Sequence, residues 1–466
     1  MGSDTAVVAN RWRALVVCLV AAFMTLLDVS IVNVALPSIK AGLHATPDGL
    51  QWILSGYALT FGLVLVPAGR LGDARSRRAV FMAGLALFTV ASAAAGFAQS
   101  IAWLIVARLV QGVAGGVLNP QVAGLIQVMF RGPERGRAFG GLGATIGIAT
   151  AVGPLAGGAL IALAGADEGW RWVFYVNVPI GLAALVAAWR MLPPPEPGRR
   201  RSLDPVGVLL LGAGVVAFLL PFVQEQVWTG AAKWALLPAA VVLLGAFVSW
   251  ERRHDEPMVD LGLFHLRSYA LGATIALLYF AGFTAIFFIY TLYLQNGLHY
   301  SALLAGVAIT PFAVGSGVAA LVGGRLVDRF GRRLVAVGLA AVAVGLLAVL
   351  VAVYFVPDHN AAAAAALPFL VAGVGSGLVI APNQTITLSE VPPAGGGSAA
   401  GVLQTGQRIG TAVGIAMVGS VFFASLDASD WATAFRRGLV LVIVLVLCAL
   451  VAAAIDLVTS RAAASR

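Results

Sequence analysis

The sequence predicts an all-α membrane protein in which fourteen helices cross the bilayer. Its 466 residues are 60% hydrophobic and only 11% charged, and the mean hydropathy is +0.95. A soluble protein of this length needs a charged surface, so the composition excludes that class. Apolar runs long enough to cross roughly 30 Å of hydrocarbon recur along the chain, and most basic residues fall between them.

Six predicted spans precede the first linker, two follow it, and six more complete the chain. Their approximate bounds are 14–36, 49–69, 79–98, 102–128, 138–164, 172–192, 205–223, 234–250, 269–293, 301–323, 334–356, 364–387, 400–424 and 437–458. The linker runs from three prolines, 193–195, to three arginines, 199–201. Helix breakers combined with positive charge indicate a cytoplasmic boundary.

The distribution of basic residues orients the spans. With both termini in the cytoplasm, 22 of the 29 Lys and Arg residues lie on the cytoplasmic side, and Arg108 and Arg408 are the two that lie inside spans away from the span ends. Because the net charge of +9 is scattered over loops, it favours contact with anionic membrane lipid and no nucleic acid. Cys18 and Cys448 lie in apolar runs, so neither a disulfide nor a metal site is predicted. The first apolar run is too long for a cleaved signal peptide and is expected to be retained.

An internal repeat divides the chain into two related halves. Gly69–Arg78 (GRLGDARSRR) reappears as Gly324–Arg333 (GRLVDRFGRR), identical at six of ten positions with an offset of 255 residues. We therefore predict an N-terminal six-helix bundle over 1–192, a linker with two inserted transmembrane helices over 193–268, and a C-terminal six-helix bundle over 269–466.

Two charges lie deep in predicted spans. Asp28 is about 14 residues, or roughly 21 Å, from the cytoplasmic end of the first span, and Arg108 is about six residues, or roughly 9 Å, below the external end of the fourth. In a core of about 30 Å these depths coincide. Apolar surroundings favour a protonated carboxyl group and a nearby guanidinium favours the carboxylate, so a change in their separation would bind or release a proton. A structural ion pair or a clamp between helices is the alternative. The role of the third buried charge, Arg408, stays open.

The motifs around these charges resemble those of the major facilitator superfamily, specifically its fourteen-helix drug:proton antiporter branch. The resemblance covers nearly the whole chain. It rests on Leu27–Pro37 (Ser30 replacing the usual Thr), Gly69–Arg78 (Ser76 replacing the usual Gly), Leu104–Gly112, Gly153–Gly158 and Trp170–Pro179.

The resemblance implies two six-helix bundles around a central cavity that opens alternately to the cytoplasm and the exterior. It assigns proton coupling to Asp28 and Arg108, and an antiporter motif that seals the two halves to Gly153, Pro154, Gly157 and Gly158. It assigns a conformational latch to Gly69, Arg70, Asp73, Arg77, Arg78, Asp328 and Arg332. From the residues alone, the glycines equally fit ordinary tight packing, the arginines fit cytoplasmic anchors, and Asp73 is expected to cap the third helix.

An aromatic stripe in the ninth span is a candidate substrate surface. Tyr279, Phe283, Phe287 and Tyr290 recur at helical spacing on one face, which suits flat lipophilic cations or planar antibiotics. Packing against lipid is the competing interpretation. The polar candidates for the same site are Asn33, Gln51, Tyr57, Gln111, Asn119, Gln404 and Arg408.

We therefore predict a monomeric, proton-coupled antiporter of a bacterial cytoplasmic membrane that exports small lipophilic or cationic drugs or antibiotics. The two lysines, Lys40 and Lys233, are in no phosphate-binding loop, and no His-Glu-x-x-His string occurs, so no cofactor is expected beyond the proton gradient. The alternatives are an exporter dedicated to a self-made antibiotic or other metabolite, a proton-coupled solute importer, and a signalling protein built on a transporter fold.

Overall fold

The structure is a computed structural model that describes residues 2–165, 168–194, 204–223, 228, 230–254, 256–356 and 360–464. Over these residues the chain is helical and contains no strand. The helices are α1 (Gly2–Leu43), α2 (Pro47–Ala74), α3 (Arg77–Gly96), α4 (Ile101–Met129), α5 (Gly132–Ala164), α6 (Gly169–Tyr175), α7 (Asn177–Met191), α8 (Pro205–Val223), α9 (Leu236–Glu251), α10 (Arg267–Leu292), α11 (Ala302–Phe330), α12 (Arg332–Phe355), α13 (Ala361–Thr387), α14 (Gly396–Ala428) and α15 (Trp431–Ala464).

Among the described residues, fourteen helical segments are long and apolar enough to cross a membrane, which confirms the predicted number. The sixth of these combines α6 and α7. Residues 195–203, which contain most of the predicted proline and arginine linker, lie outside the described residues.

Several helices have a serine or threonine as their N-cap residue. Thr46, Ser76, Ser100 and Ser301 each accept a hydrogen bond from the main-chain N–H three residues further on, which satisfies one of the unpaired donors of a helix N-terminus. The expectation that Asp73 caps the third helix is wrong. Ser76 directly precedes α3 and accepts from the Ala79 N–H at 3.2 Å.

The sixth span is broken between Tyr175 and Asn177. Proline has no N–H, so Pro179 cannot donate the helical hydrogen bond that the Tyr175 carbonyl would accept. The helix consequently ends at Tyr175 and restarts at Asn177. Val176 keeps helical dihedral angles of −57° and −29° between the two helices, and the Asn177 side chain at the start of α7 is fully buried.

The chain forms two compact units. The first comprises 1–130, 152–261 and 391–405, and the second comprises 131–151, 262–390 and 406–466. The inserted helices α8 and α9 belong to the first unit, where α8 packs against α2. The second unit is held together by an aliphatic and aromatic core drawn from α10 to α15. The partition into 1–192, 193–268 and 269–466 stays a prediction.

Candidate functional site

Asp28 lies at the centre of a buried polar cluster in the first unit. Its Oδ2 accepts a hydrogen bond from Arg108 Nη1 at 2.5 Å, and both side chains are almost completely excluded from solvent. Gln111 Nε2 donates to Asp28 Oδ1 at 2.8 Å, while Gln111 Oε1 accepts from Arg108 Nη1 at 2.8 Å. The three side chains therefore close a ring around the carboxylate.

Helix geometry explains how this ring forms. Arg108 and Gln111 are three residues apart on α4, so both project from one face of that helix towards α1. The sequence predicted that Asp28 and Arg108 lie at the same depth, and the structure brings them into contact. Their role in proton coupling stays a prediction.

The guanidinium of Arg108 is also held by α2. Its Cζ lies 4.3 Å from the centroid of the Tyr57 ring, and its Nε donates to the Ile53 carbonyl at 3.2 Å. The two helices can approach closely because Gly112 has no side chain. A Cβ at this position would lie only 2.2 Å from Thr60 Oγ1. Tyr57 and Gln111, which were predicted as substrate contacts, are thus parts of the Asp28 cluster.

Asn177 is a member of this cluster that the sequence analysis did not select. Its Nδ2 donates to Asp28 Oδ1 at 3.3 Å and to Ser92 Oγ at 3.1 Å. Ser92 in turn donates to the Phe174 carbonyl at 2.9 Å. An Asn within an apolar span, next to a broken helix, was the signal that could have identified it.

The Asp28 carboxyl group is surrounded by hydrogen-bond donors. Asp28 accepts hydrogen bonds from Arg108, Gln111 and Asn177, so every described polar contact of its side chain is with a donor. Burial of this pair is tolerable because the opposite charges are in contact and the remaining hydrogen bonds are made. Binding a proton at Asp28 would remove the charge that Arg108 neutralises.

The other polar candidates have more local contacts. Asn119 donates to the Gly115 carbonyl at 3.0 Å and to Thr25 Oγ1 at 3.4 Å, one turn of α1 from Asp28. Asn33 is exposed and donates to the Val29 carbonyl of its own helix. Gln51, Gln404 and Arg408 are half-buried. Their contact with substrate stays a prediction.

The aromatic stripe of the ninth span lies on α10 and forms part of the core of the second unit. Tyr279 and Tyr290 are almost fully buried, whereas Phe283 and Phe287 are half-buried. The rings of Tyr279, Phe283 and Phe287 contact one another in succession, with centroids 5.6 and 5.3 Å apart. The stripe is therefore a continuous aromatic cluster, and whether it binds substrate stays a prediction.

The first loop repeat joins the end of α2 to the start of α14. Asp73 accepts hydrogen bonds from the Gly397 N–H at 3.0 Å, the Ser398 N–H at 2.8 Å and Arg77 Nη2 at 2.6 Å. A carboxylate in this position satisfies free donors and interacts favourably with the dipole of α14. The end of α2 can lie this close to α14 because Gly69 has no side chain. A Cβ at this position would lie 2.3 Å from the Gly397 carbonyl oxygen.

Two other arginines of this repeat bond to main-chain carbonyls. Arg70 donates to the Glu256 carbonyl at 3.3 Å, and Arg78 donates to the Trp189 carbonyl at 2.5 Å. The repeat thus connects several segments of the first unit.

The second repeat has a different set of contacts. Asp328 is exposed, and Arg332 forms an ion pair with the buried Asp456 of α15. Arg332 also donates to Asn383 and to the Ser268 carbonyl. The two halves therefore share the sequence of the repeat without sharing its hydrogen bonds.

One substitution between the repeats has a backbone explanation. Gly331 has φ +51° and ψ −135°, a conformation that favours glycine. The equivalent Ser76 has φ −158°, which is extended backbone, and its hydroxyl caps α3. Serine at 76 therefore fits the local conformation and supplies the cap.

The antiporter motif on α5 packs against α1 in the first unit. A Cβ on Gly153 would lie 2.4 Å from Ser30 Cβ, and a Cβ on Gly157 would lie 2.9 Å from Ile31 Cγ1. Nothing lies within 4 Å of the equivalent position on Gly158. Two of the motif's glycines thus permit close helix packing beside Asp28.

Comparisons with known proteins agree with the fold. The sequence profile of the Major Facilitator Superfamily matches residues 18–415 and 272–465. A probable actinorhodin transporter of Streptomyces coelicolor is 36% identical over 91% of this chain and 75% of its own length. A puromycin resistance protein of Streptomyces alboniger is 36% identical over 88% of this chain and 82% of its own. A cephamycin export protein of Amycolatopsis lactamdurans is 34% identical over 93% and 90%, respectively.

Solved structures share the fold at low sequence identity. A proton:xylose symporter superposes with a TM-score of 0.69 at 14% identity, covering 95% of each chain. The human organic anion transporter MFSD10 gives 0.67 at 16% identity, covering 95% of this chain and 99% of its own. The described part of this chain has fourteen helices long and apolar enough to cross a membrane, and the family profile spans nearly the whole length of the chain, so this chain belongs to the Major Facilitator Superfamily of transporters.

Proposed function

We propose that the chain is a proton-coupled antiporter that exports lipophilic or cationic drugs or antibiotics across a bacterial cytoplasmic membrane, with both termini in the cytoplasm. The observation that carries this proposal is the buried contact of Asp28 with Arg108. Charged groups at such depth are costly and are usually retained for function. The names of the relatives, which include a probable actinorhodin transporter and a cephamycin export protein, support an export role.

In this mechanism, a proton bound at Asp28 changes the contact between α1 and α4. A proton on Asp28 removes its negative charge and weakens its bond to Arg108. Arg108 keeps the Ile53 carbonyl, the Gln111 amide and the Tyr57 ring as partners. Protonation therefore loosens α1 from α4 while leaving the arginine satisfied. Each proton that moves inward contributes about 2.3 kcal/mol per 100 mV of membrane potential.

Transport in proteoliposomes tests the proposal. The wild-type protein is expected to move a fluorescent lipophilic cation against its gradient when a pH gradient is imposed. Asp28→Asn should abolish this movement while expression and thermal unfolding remain normal. Asp48→Asn is the matched control, because Asp48 is an exposed carboxylate at the start of α2. Gradient-driven transport by Asp28→Asn at the wild-type rate would contradict the assignment.

The alternatives predict different proton movements and substrate ranges. An antiporter should release protons when substrate is added to purified protein, whereas an importer that carries both together should take protons up. A dedicated exporter should bind one compound in a panel of dyes, quaternary cations and antibiotics. A signalling protein should show neither proton exchange nor transport.

A further inference from the structure

Two carboxyl groups lie against each other where α8 begins and α9 ends. Asp204 and Glu251 are 1% and 3% exposed, so both carboxyl groups are shielded from solvent. A Cβ on Gly207 would lie 2.3 Å from Asp204 Oδ2 and 2.6 Å from Glu251 Oε1. Both oxygens are therefore directed at the same glycine, which leaves space for them.

The two carboxyl groups differ in their hydrogen-bond donors. Trp250 Nε1 donates to Asp204 Oδ1 at 3.0 Å and to Oδ2 at 3.1 Å, and the Gly207 N–H donates to Oδ1 at 3.1 Å. Glu251 Oε2 accepts from the Val259 N–H at 3.1 Å. The buried Glu251 Oε1 faces no donor among the described residues.

An ionised carboxylate only accepts hydrogen bonds, so two carboxylates cannot bond to each other without a proton. Asp204 receives the donors and is suited to carry the negative charge. Glu251 Oε1 lacks a donor and is suited to carry the proton. We propose that Asp204 and Glu251 hold one proton between them, which gives this chain a proton-binding site separate from Asp28.

The described charged side chains near this pair are mostly exposed and do not neutralise it. Arg252 and Arg253 follow Glu251 but are exposed, and the His254 ring stacks on Trp250 with centroids 5.6 Å apart. In the segment around Val259, which packs against Glu251, the side chains of Glu256 and Asp260 are exposed. Arg70 of α2 donates to the Glu256 carbonyl. The charge that acts on Glu251 is that of Asp204.

The hydrogen bonds of Asp204 and Glu251 connect three parts of the first unit. The hydrogen bonds of the pair join the start of α8, the end of α9 and the chain at Val259, whose side chain packs with Val66 of α2. Loss of the proton would leave two buried negative charges in contact. Because the folded state binds a proton that the unfolded chain releases more easily, stability conferred by the pair is present at low pH and is lost as pH rises.

Thermal unfolding of the purified full-length protein tests this site. The wild-type melting temperature is expected to fall by several degrees between about pH 6 and about pH 9. Glu251→Gln keeps a donor towards Asp204 but cannot titrate, so this fall should shrink. Glu168→Gln, at an exposed glutamate, should keep the wild-type fall. An equal fall in wild type and Glu251→Gln would overturn the proposal.

Infrared spectroscopy gives a second measurement that does not depend on stability. The carbonyl band of a protonated carboxyl group should be present in wild type and Asp28→Asn, and absent from Glu251→Gln. If Glu251→Gln does not fold, Asp204→Asn should shift the band, because it replaces the acceptor of the proton. A band that persists unshifted in the folded variants of this pair, or that disappears in Asp28→Asn, would overturn the assignment.

Discussion

Asn177 Nδ2 lies 3.3 Å from Asp28 Oδ1, so the first residue of α7 contacts the buried charge of α1. The amide has its other described contact with Ser92 on α3. The state of Asp28 is thereby linked to helices other than the one that carries Arg108.

Replacing Asn177 should change the pH dependence of transport. Asn177→Ala removes a buried hydrogen-bond donor to Asp28, so we expect the midpoint of the pH profile to move. Transport assays across a pH series measure this shift. Gln99→Ala, at an exposed residue of the loop before α4, is the control and should keep the wild-type midpoint. A purely structural role would lower the rate without moving the midpoint.

The two aspartates of the repeated loop should differ in their contribution to stability. Asp73→Ala leaves the N–H groups of Gly397 and Ser398 without this acceptor and leaves the Arg77 guanidinium with only its bond to the Pro393 carbonyl among the described contacts, which should cost about 2–3 kcal/mol. Asp328 is exposed, so Asp328→Ala should stay within about 0.5 kcal/mol of wild type. Denaturant unfolding in detergent measures both. Equal losses would show that Asp73 gains nothing from its contact with α14.

Exchanging the residues at the equivalent positions 76 and 331 should be asymmetric. Ser76→Gly is expected to cost only a few tenths of a kcal/mol, since glycine is tolerated at a helix N-cap. Gly331→Ser forces a side chain onto a φ of +51° and should cost about 1–3 kcal/mol. No atom lies within 4 Å of the added Cβ, so the cost arises from the backbone alone. Similar unfolding temperatures for the two variants would contradict this explanation.

The aromatic cluster of α10 allows packing and binding to be separated. The buried hydroxyl of Tyr290 has no hydrogen-bond partner among the described residues, so Tyr290→Phe should be neutral or slightly stabilising. Phe283 is half-buried, and Phe283→Ala should weaken substrate binding by about 1 kcal/mol if the cluster contacts substrate. Binding titrations and unfolding curves of both variants distinguish the two roles. Unchanged affinity in Phe283→Ala would assign the stripe to packing.

The number of spans and the common depth of Asp28 and Arg108 could be predicted because both follow from local rules. Span length follows from apolar content, and depth follows from the rise per residue along a helix. Two residues on different spans at one depth need only facing helices to meet. Neither prediction required knowledge of which other side chains pack nearby.

The partners of Asp73 and Asn177 could not be predicted in this way. Asp73 bonds to residues more than 300 positions further along the chain, so the nearby start of α3 was a misleading choice of partner. Asn177 could be noticed in the sequence as an Asn within an apolar span, but its bond to Asp28 depends on how α7 packs against α1. Contacts of both kinds depend on tertiary packing, which no short sequence window contains.

The broken sixth span has a consequence for how mutations are tolerated. The chain of hydrogen bonds from Asp28 through Asn177 and Ser92 ends on a main-chain carbonyl, that of Phe174. No substitution can remove a main-chain carbonyl, so the position of this last acceptor depends only on the backbone conformation. A saturation screen for drug tolerance should therefore find Pro179 almost as intolerant as the charged residues, although a proline side chain offers no hydrogen bond to any of them.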